Sequence, residues 1–80
     1  MEAINDYYEK HFQDLCRKAL FRGCSAQDVE DVVHDAFVRA MTYYKTFDEE
    51  RTEFGAWFNT ILNNAIRAHK KAERLQGAVI

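Results

Sequence analysis

The fold is decided by residues 25–44, SAQDVEDVVHDAFVRAMTYY, because their apolar side chains recur every three or four residues. This period predicts an amphipathic helix over residues 26–45. Ser25, with Asp28 three residues later, predicts the helix start as a variant of the capping box. The apolar face consists of Val29, Val32, Val33, Ala36, Phe37, Ala40, Met41 and Tyr44.

Two further helices are predicted on either side of this one. The first covers residues 3–22 and stops at Gly23, since glycine readily takes the left-handed conformation that ends helices. The third covers residues 53–75, with Thr52 as its candidate N-cap. Their inner faces consist of Ile4, Tyr8, Phe12, Leu15, Cys16 and Ala19, and of Phe54, Trp57, Phe58, Ile61, Leu62, Ala65 and Ile66. The chain is therefore predicted to be all-α, a small bundle of three helices, or of four if the first is broken in two.

Length and composition predict one small globular domain. The chain has 80 residues, of which 48% are hydrophobic and 14% aromatic, with no proline and three glycines. No apolar run approaches the roughly 18 residues of a membrane span, and the first residues lack the layout of a signal peptide. We expect a cytoplasmic protein without a membrane partner.

The two cysteines, Cys16 and Cys24, are expected to be small buried or half-buried hydrophobes. A zinc site that combined them with His11 and His34 is rejected, because no pair has the CxxC or HxxxH spacing of zinc ligands. We therefore expect no metal and no cofactor.

Charge is unevenly distributed along the chain. The net charge is −2, yet residues 26–53 hold eight acidic and three basic side chains, whereas residues 54–80 hold four basic and one acidic. The middle of the chain is thus acidic and its end is basic. A free-standing DNA-binding protein is usually strongly basic, so we expect any DNA binding here to need a partner.

The outward face of helix two carries most of the acidic groups. Opposite the apolar side lie Asp31, Asp35, Val38 and Thr42, flanked by Asp28, His34 and Arg39. An ordinary solvated helix also has a charged outer face. However, an outward valine among carboxylates fits a docking patch for a basic helical partner.

The outward face of helix three has the opposite character. Its stripe is made of Ala56, Thr60, Asn63, Asn64, Arg67, Lys70, Lys71 and Arg74. Asparagine and threonine can hydrogen-bond base edges, and cations neutralise phosphates, although cations near a helix C-terminus also stabilise the helix dipole. The nearby Tyr43, Tyr44, Phe47 and Trp57 are expected mainly to pack where helices two and three meet, and their edges can also stack on unpaired bases.

Two runs of this sequence resemble bacterial sigma factors. Residues 28–40, DVEDVVHDAFVRA, are similar to the family pattern DaeDlvQdvFlrA. Residues 52–71, TEFGAWFNTILNNAIRAHKK, are similar to the following helix of the family, sFraWLyrIarNlaiDylRR. The order and spacing of the two runs also fit. The resemblance is to the extracytoplasmic-function class, and it covers the promoter-melting domain called region 2 over nearly the whole chain.

This resemblance implies a role in transcription initiation with two partners. One is the RNA polymerase core, whose β′ clamp helices would dock on Asp31, His34, Asp35, Val38 and Arg39. The other is promoter DNA, mainly the single-stranded non-template strand of the −10 element. Residues 45–52 would receive a flipped base, and Trp57 would anchor that loop. The residues that the resemblance assigns to DNA are Phe47, Asp48, Asn63, Asn64, Arg67, Lys70, Lys71 and Arg74.

The chain also departs from the family pattern. His34 stands where glutamine is usual, which would make the polymerase contact pH-sensitive. Ala68 and His69 replace an acidic and an aromatic residue. We expect residues 1–76 to form the region 2 domain and residues 77–80 to begin a linker. We also expect the chain to be a domain excised from a longer protein, in preference to a naturally truncated one.

Two other functions compete with promoter recognition. A sigma-like module could bind polymerase, or an anti-sigma factor, without reading DNA. An enzyme that used Asp31, His34 and Asp35 with a metal is rejected, because these residues lie on a convex helix surface and the chain has no Gly-rich loop or nucleophile motif.

Overall fold

Three α-helices make up most of the protein. A computed structural model describes the backbone of residues 2–78 and the side chains of residues 4–72. The helices are α1 (Glu2–Phe21), α2 (Val29–Tyr43) and α3 (Phe54–Ala78), and a single 3₁₀ turn (Tyr44–Thr46) follows α2. The residues described contain no strand. The all-α prediction is therefore confirmed, and the first helix is continuous.

The core is built around α2, which packs against both other helices. Its buried side chains are Val29, Val32, Val33, Ala36 and Ala40. The largest fully buried side chains of the described residues are Phe58, Ile4, Leu15, Leu62 and Val33, so all three helices contribute to one core. The predicted apolar faces are confirmed, with Tyr8, Phe12, Cys16, Phe37, Met41, Tyr44, Phe54 and Trp57 half-buried at its margin. Cys24 is buried, as predicted.

The end of α1 is a Schellman motif centred on Gly23. Gly23 has a φ of 104°, and its N–H donates to the carbonyl of Leu20 at 3.0 Å. The N–H of Cys24 donates to the carbonyl of Ala19 at 3.0 Å. These two bonds satisfy carbonyls that the helix would otherwise leave without a partner. The stop predicted at Gly23 is confirmed.

The start predicted for α2 is wrong by three residues. The helix begins at Val29, and Asp28 occupies the N-cap position without a capping bond from its side chain. Instead, the Ser25 hydroxyl donates to the Asp28 carboxylate at 2.9 Å, and the same carboxylate oxygen lies 3.3 Å from Nε2 of His69 on α3. In a capping box the Asp28 carboxylate would accept a backbone N–H. Here it contacts His69 on α3 instead.

The other helix ends differ from the prediction by one to three residues. Helix α1 covers Glu2–Phe21 where 3–22 was predicted, and α2 ends at Tyr43 where residue 45 was predicted. Helix α3 begins one residue later, at Phe54, and Glu53 takes the N-cap position because its carbonyl accepts the N–H of Trp57 at 3.0 Å. The Thr52 hydroxyl donates to the carbonyl of Glu53 at 3.4 Å, so Thr52 is not the cap. At its other end α3 continues to Ala78, while the last two residues of the predicted linker lie outside the described residues.

No helix within residues 2–78 is long and apolar enough to cross a membrane.

The Schellman end gives a stability prediction. An L-residue at position 23 would be strained at this φ, and its Cβ would also displace the flexible end of Lys70, whose Nζ would otherwise lie 2.5 Å away. Gly23→Ala should therefore lower the free energy of unfolding by about 1–2 kcal/mol. Urea denaturation followed by circular dichroism measures this change.

Gly55→Ala is the matched control, because a Cβ there meets only the Tyr7 hydroxyl at 3.5 Å, an ordinary contact. In a helix the alanine should leave stability unchanged or raise it by up to about 1 kcal/mol. Equal losses for both variants would contradict the role given to Gly23.

Candidate protein and nucleic-acid interfaces

The α2 outer face consists of Asp31, His34, Asp35, Val38 and Thr42. Asp31, His34, Val38 and Thr42 are exposed, and 41% of Val38 is accessible. The opposite side of α2 is filled by the core, so this face is the side of α2 that a partner can reach. The structure thus brings together the residues that the sequence assigned to polymerase.

One ion pair lies on this face. Nε of Arg39 donates to the Asp35 carboxylate at 2.9 Å across one helical turn. Both side chains are more than a third exposed, so solvent screening limits the stabilisation to a few tenths of a kcal/mol. Asp31 has no ion-pair partner among the residues described, and its full charge is available to a partner.

A shallow groove separates α2 from α3 beside this face. Its volume is about 260 Å³. It is lined by Asp31, Val32, Asp35, Ala65, Ala68 and His69. Within residues 4–72 no three histidine, cysteine or carboxylate side chains lie together as a set of metal ligands.

An aromatic cluster holds the loop between α2 and α3 in place. We call Tyr44, Phe47, Phe54 and Trp57 the loop cluster. The ring centroid of Phe47 lies 5.1 Å from Trp57, 5.5 Å from Phe54 and 6.0 Å from Tyr44. Rings at these distances attract one another beyond simple burial, so the extended backbone at Phe47 is anchored to the first turn of α3.

Tyr7 on α1 extends the loop cluster toward the core. Its ring lies 5.0 Å from Phe54 and 5.2 Å from Phe58, and burial raises the pKa of its hydroxyl. Tyr8, and not Tyr7, was predicted on the inner face of the first helix. The signal was present, since Tyr7 follows Ile4 by three residues and precedes His11 by four.

A cavity of about 390 Å³, which we call the loop cavity, opens beside the loop cluster. Its lining combines two aromatic rings with three carboxylates: Tyr44, Phe47, Asp48, Glu49 and Glu50. Asp48 also shapes the loop, because its Oδ1 accepts the N–H of Glu50 at 3.0 Å and its Oδ2 lies 3.8 Å from Nε of Arg51. Aromatic walls fit the faces of a planar ring, and carboxylates accept hydrogen bonds from N–H groups at its edge.

The outer stripe of α3 divides into two groups. Asn64, Arg67 and Lys71 are exposed, and their side chains have no partner among the residues described. Asn63 and Lys70 are half-buried and contact the end of α1. The side chain of Arg74 lies outside the described residues.

Arg22, at the end of α1, is the group that Asn63 and Lys70 contact. Its Nη1 donates to Oδ1 of Asn63 at 2.6 Å, and its Nη2 donates to Oδ1 of Asn59 at 3.0 Å. Its carbonyl accepts Nζ of Lys70 at 2.6 Å, which places a cation at the negative end of the α1 dipole. We call this set the α1–α3 junction. Sequence reasoning missed Arg22 and Asn59, because their contacts join residues far apart in the chain.

Comparison with known proteins assigns the family. The family described as Sigma-70 region 2 matches residues 7–75. The chain is 28% identical over 75 residues to the ECF RNA polymerase sigma factor BldN of Streptomyces coelicolor, an alignment that covers 94% of this chain and 28% of BldN. No solved structure matches.

The matched region includes all of α2, the loop cluster and most of α3, the elements that carry the two candidate interfaces. Its helical architecture agrees with that family. Sigma factors are non-catalytic factors of transcription initiation. The chain belongs to the Sigma-70 region 2 family, and the relative BldN that it resembles is a sigma factor of the ECF class.

Proposed function

We propose that this domain binds the RNA polymerase core through the α2 outer face and binds the melted −10 element through α3 and the loop cavity. The polymerase contact would be the pair of β′ clamp helices, and the DNA contact would be the non-template strand. Two partners are reasonable because the two surfaces lie on different helices and carry opposite charge.

The α2 outer face suits a basic helical partner. Its carboxylates at Asp31 and Asp35 supply charge complementarity, and the exposed Val38 between the polar groups supplies apolar contact area. His34 lies on the same exposed face, where its protonation would weaken attraction to basic residues. Arg39 stays beside Asp35 and would fix the direction of that carboxylate.

One observation carries the DNA half of the proposal. Trp57, Asn64 and Lys71 recur every seven residues, so they form one line along α3 that starts at the loop cluster. Each step advances about 10 Å along the helix axis. A single strand that follows this line would have a base in the loop cavity and its phosphates near Arg67 and Lys71.

The loop cavity is suited to a base and unsuited to a phosphate. A flipped base loses a few kcal/mol of stacking, which contact with Tyr44 and Phe47 can offset. The carboxylates of Asp48, Glu49 and Glu50 would repel the backbone and accept hydrogen bonds from base N–H groups. The cavity therefore admits the base while the phosphates stay outside on the cationic side of α3.

The same carboxylates favour a second candidate, a module that binds polymerase or an anti-sigma factor without reading DNA. The isoelectric point is about 5.9 and the loop is acidic, which opposes DNA binding by the domain alone. The two candidate functions are distinguished by whether the complex of polymerase core and this domain prefers particular DNA sequences.

Selection from a random pool of short single strands, with the complex of polymerase core and this protein, tests DNA recognition. An enriched sequence is expected. Asn64→Ala should then weaken binding of the enriched strand by roughly 5- to 150-fold, because a base contact is worth about 1–3 kcal/mol. Core polymerase alone is the control. Failure to enrich any sequence beyond that control would leave the interaction module as the function.

Charge variants test the separation of the surfaces. Asp31→Lys with Asp35→Lys should weaken binding to the polymerase core, and Arg67→Gln with Lys71→Gln should leave it unchanged. The second pair should instead lower the slope of log affinity for the strand against log salt by about 0.7 per cation removed. Fluorescence anisotropy measures both the affinity for polymerase core and the affinity for the strand at each salt concentration.

Stability has to be excluded as the cause of these effects. Asp35→Asn removes a half-exposed ion pair and should change the free energy of unfolding by less than about 0.5 kcal/mol. If the folded Asp31→Lys, Asp35→Lys variant bound polymerase core as tightly as wild type, or if folded Arg67→Gln, Lys71→Gln protein lost polymerase binding, the two-surface assignment would be wrong.

A further inference from the structure

The α1–α3 junction orients two asparagine side chains of α3. A guanidinium has only donors, so the atoms that face Arg22 must be the amide oxygens of Asn59 and Asn63. The two distances, 2.6 Å to Asn63 and 3.0 Å to Asn59, are those of hydrogen bonds. The fork of one arginine therefore fixes the rotation of both amides.

With the oxygens turned to Arg22, the NH₂ groups are turned away from it. Within residues 4–72 neither NH₂ group has an acceptor. Over the same residues no buried side-chain nitrogen or oxygen lacks a partner, and both asparagines are only half-buried. The two NH₂ groups therefore reach solvent, and Asn59 and Asn63 present donors at the surface.

Asn64, the next residue, is in a different state. Its side chain is exposed and makes no hydrogen bond within the described part of the chain. Both ends of its amide are available, and the side chain can rotate. Bidentate pairing of an asparagine with adenine needs both ends, since the amide oxygen accepts from N6 and the NH₂ donates to N7.

We propose that Arg22 is a positioning residue that gives the adjacent Asn63 and Asn64 opposite roles toward DNA. Asn63, together with Asn59, donates to phosphate oxygens and contributes affinity without sequence preference. Asn64 keeps its acceptor and reads a base edge. This inference rests on the proposed DNA binding and adds to it two residues, Arg22 and Asn59, that lie outside the family-derived set.

The electrostatics of the junction agree with this assignment. Arg22 and Lys70 place two cations beside the amides, and residues 15–27 contain no acidic side chain. A phosphate that approached the two NH₂ groups would meet donors and cations together. The amide oxygens of Asn59 and Asn63 already accept hydrogen bonds from Arg22, so they are not available to donor groups on a base edge.

A phosphate scan tests the role of Asn63. Strands of the enriched sequence carry a neutral methylphosphonate at one position at a time, and each is bound by polymerase with wild-type protein or with Asn63→Ala. Asn63→Ala should weaken binding to the unmodified strand by roughly 3- to 10-fold, the size of one hydrogen bond. At one position the methylphosphonate should weaken wild-type binding and Asn63→Ala should add no further loss.

Base substitutions in the same strand separate the two asparagines. Asn63→Ala should lower affinity for matched and mismatched strands by the same factor, so discrimination is unchanged. Asn64→Ala should reduce discrimination at one base. The assignment is overturned if Asn63→Ala reduces discrimination or if no methylphosphonate cancels its effect. If the wild type enriches no strand, the proposed function itself fails, which is a separate result.

The role of Arg22 in orienting the two amides is tested by NMR in the absence of DNA. The side-chain NH₂ signals of Asn59 and Asn63 should shift in Arg22→Met, and that of Asn64 should not. Asn63→Asp gives a second, well-folded variant, since a carboxylate keeps the bond to Arg22 but removes the donors. It should match or exceed wild-type stability and yet bind the strand more weakly than Asn63→Ala does. Strand binding by Asn63→Asp equal to wild type would overturn the proposal.

Discussion

The structure depends on the burial of one side of α2 between the other two helices. Val33, Ala36 and Ala40 have no exposed surface, and the small alanines let neighbouring helices approach closely. Since this side is committed to the core, α2 has only its acidic side left for a partner. The same packing sets α3 beside α2 with its own apolar face inward, so its cationic stripe must face outward. Both candidate interfaces follow from this one constraint.

Helical periodicity predicted this arrangement because core formation depends mostly on which residues are apolar and how they are spaced. The inner faces of all three helices and the stop at Gly23 were predictable on that basis. Helix starts were less predictable because tertiary contacts compete with local capping. Asp28 illustrates this competition, since its carboxylate contacts Ser25 and His69 instead of a backbone N–H.

The candidate site was predictable only in part. Exposure on a helix follows from phase, so Asp31, Asn64 and Lys71 were located correctly on outer surfaces. The junction was not predictable, because Arg22 and Asn63 are 41 residues apart and nothing local pairs them. The loop cavity was not predictable from the sequence either, because Phe47 forms part of its wall only when its ring packs on Trp57 in the folded protein. Residue types therefore indicated a nucleic-acid surface, and geometry distinguished exposed side chains from those already bonded within the protein.

We propose that DNA and polymerase use different surfaces of this small domain. The most direct measurement is side-chain footprinting of the protein in its complex with polymerase core, before and after addition of the single strand that this complex enriches. Core is predicted to protect the α2 outer face, and the strand is predicted to add protection at Phe47, Asn64, Arg67 and Lys71. Protection of Phe47, Asn64, Arg67 and Lys71 by core alone, or strand-dependent protection centred on Asp31, His34 and Val38, would show that the two surfaces are not separate.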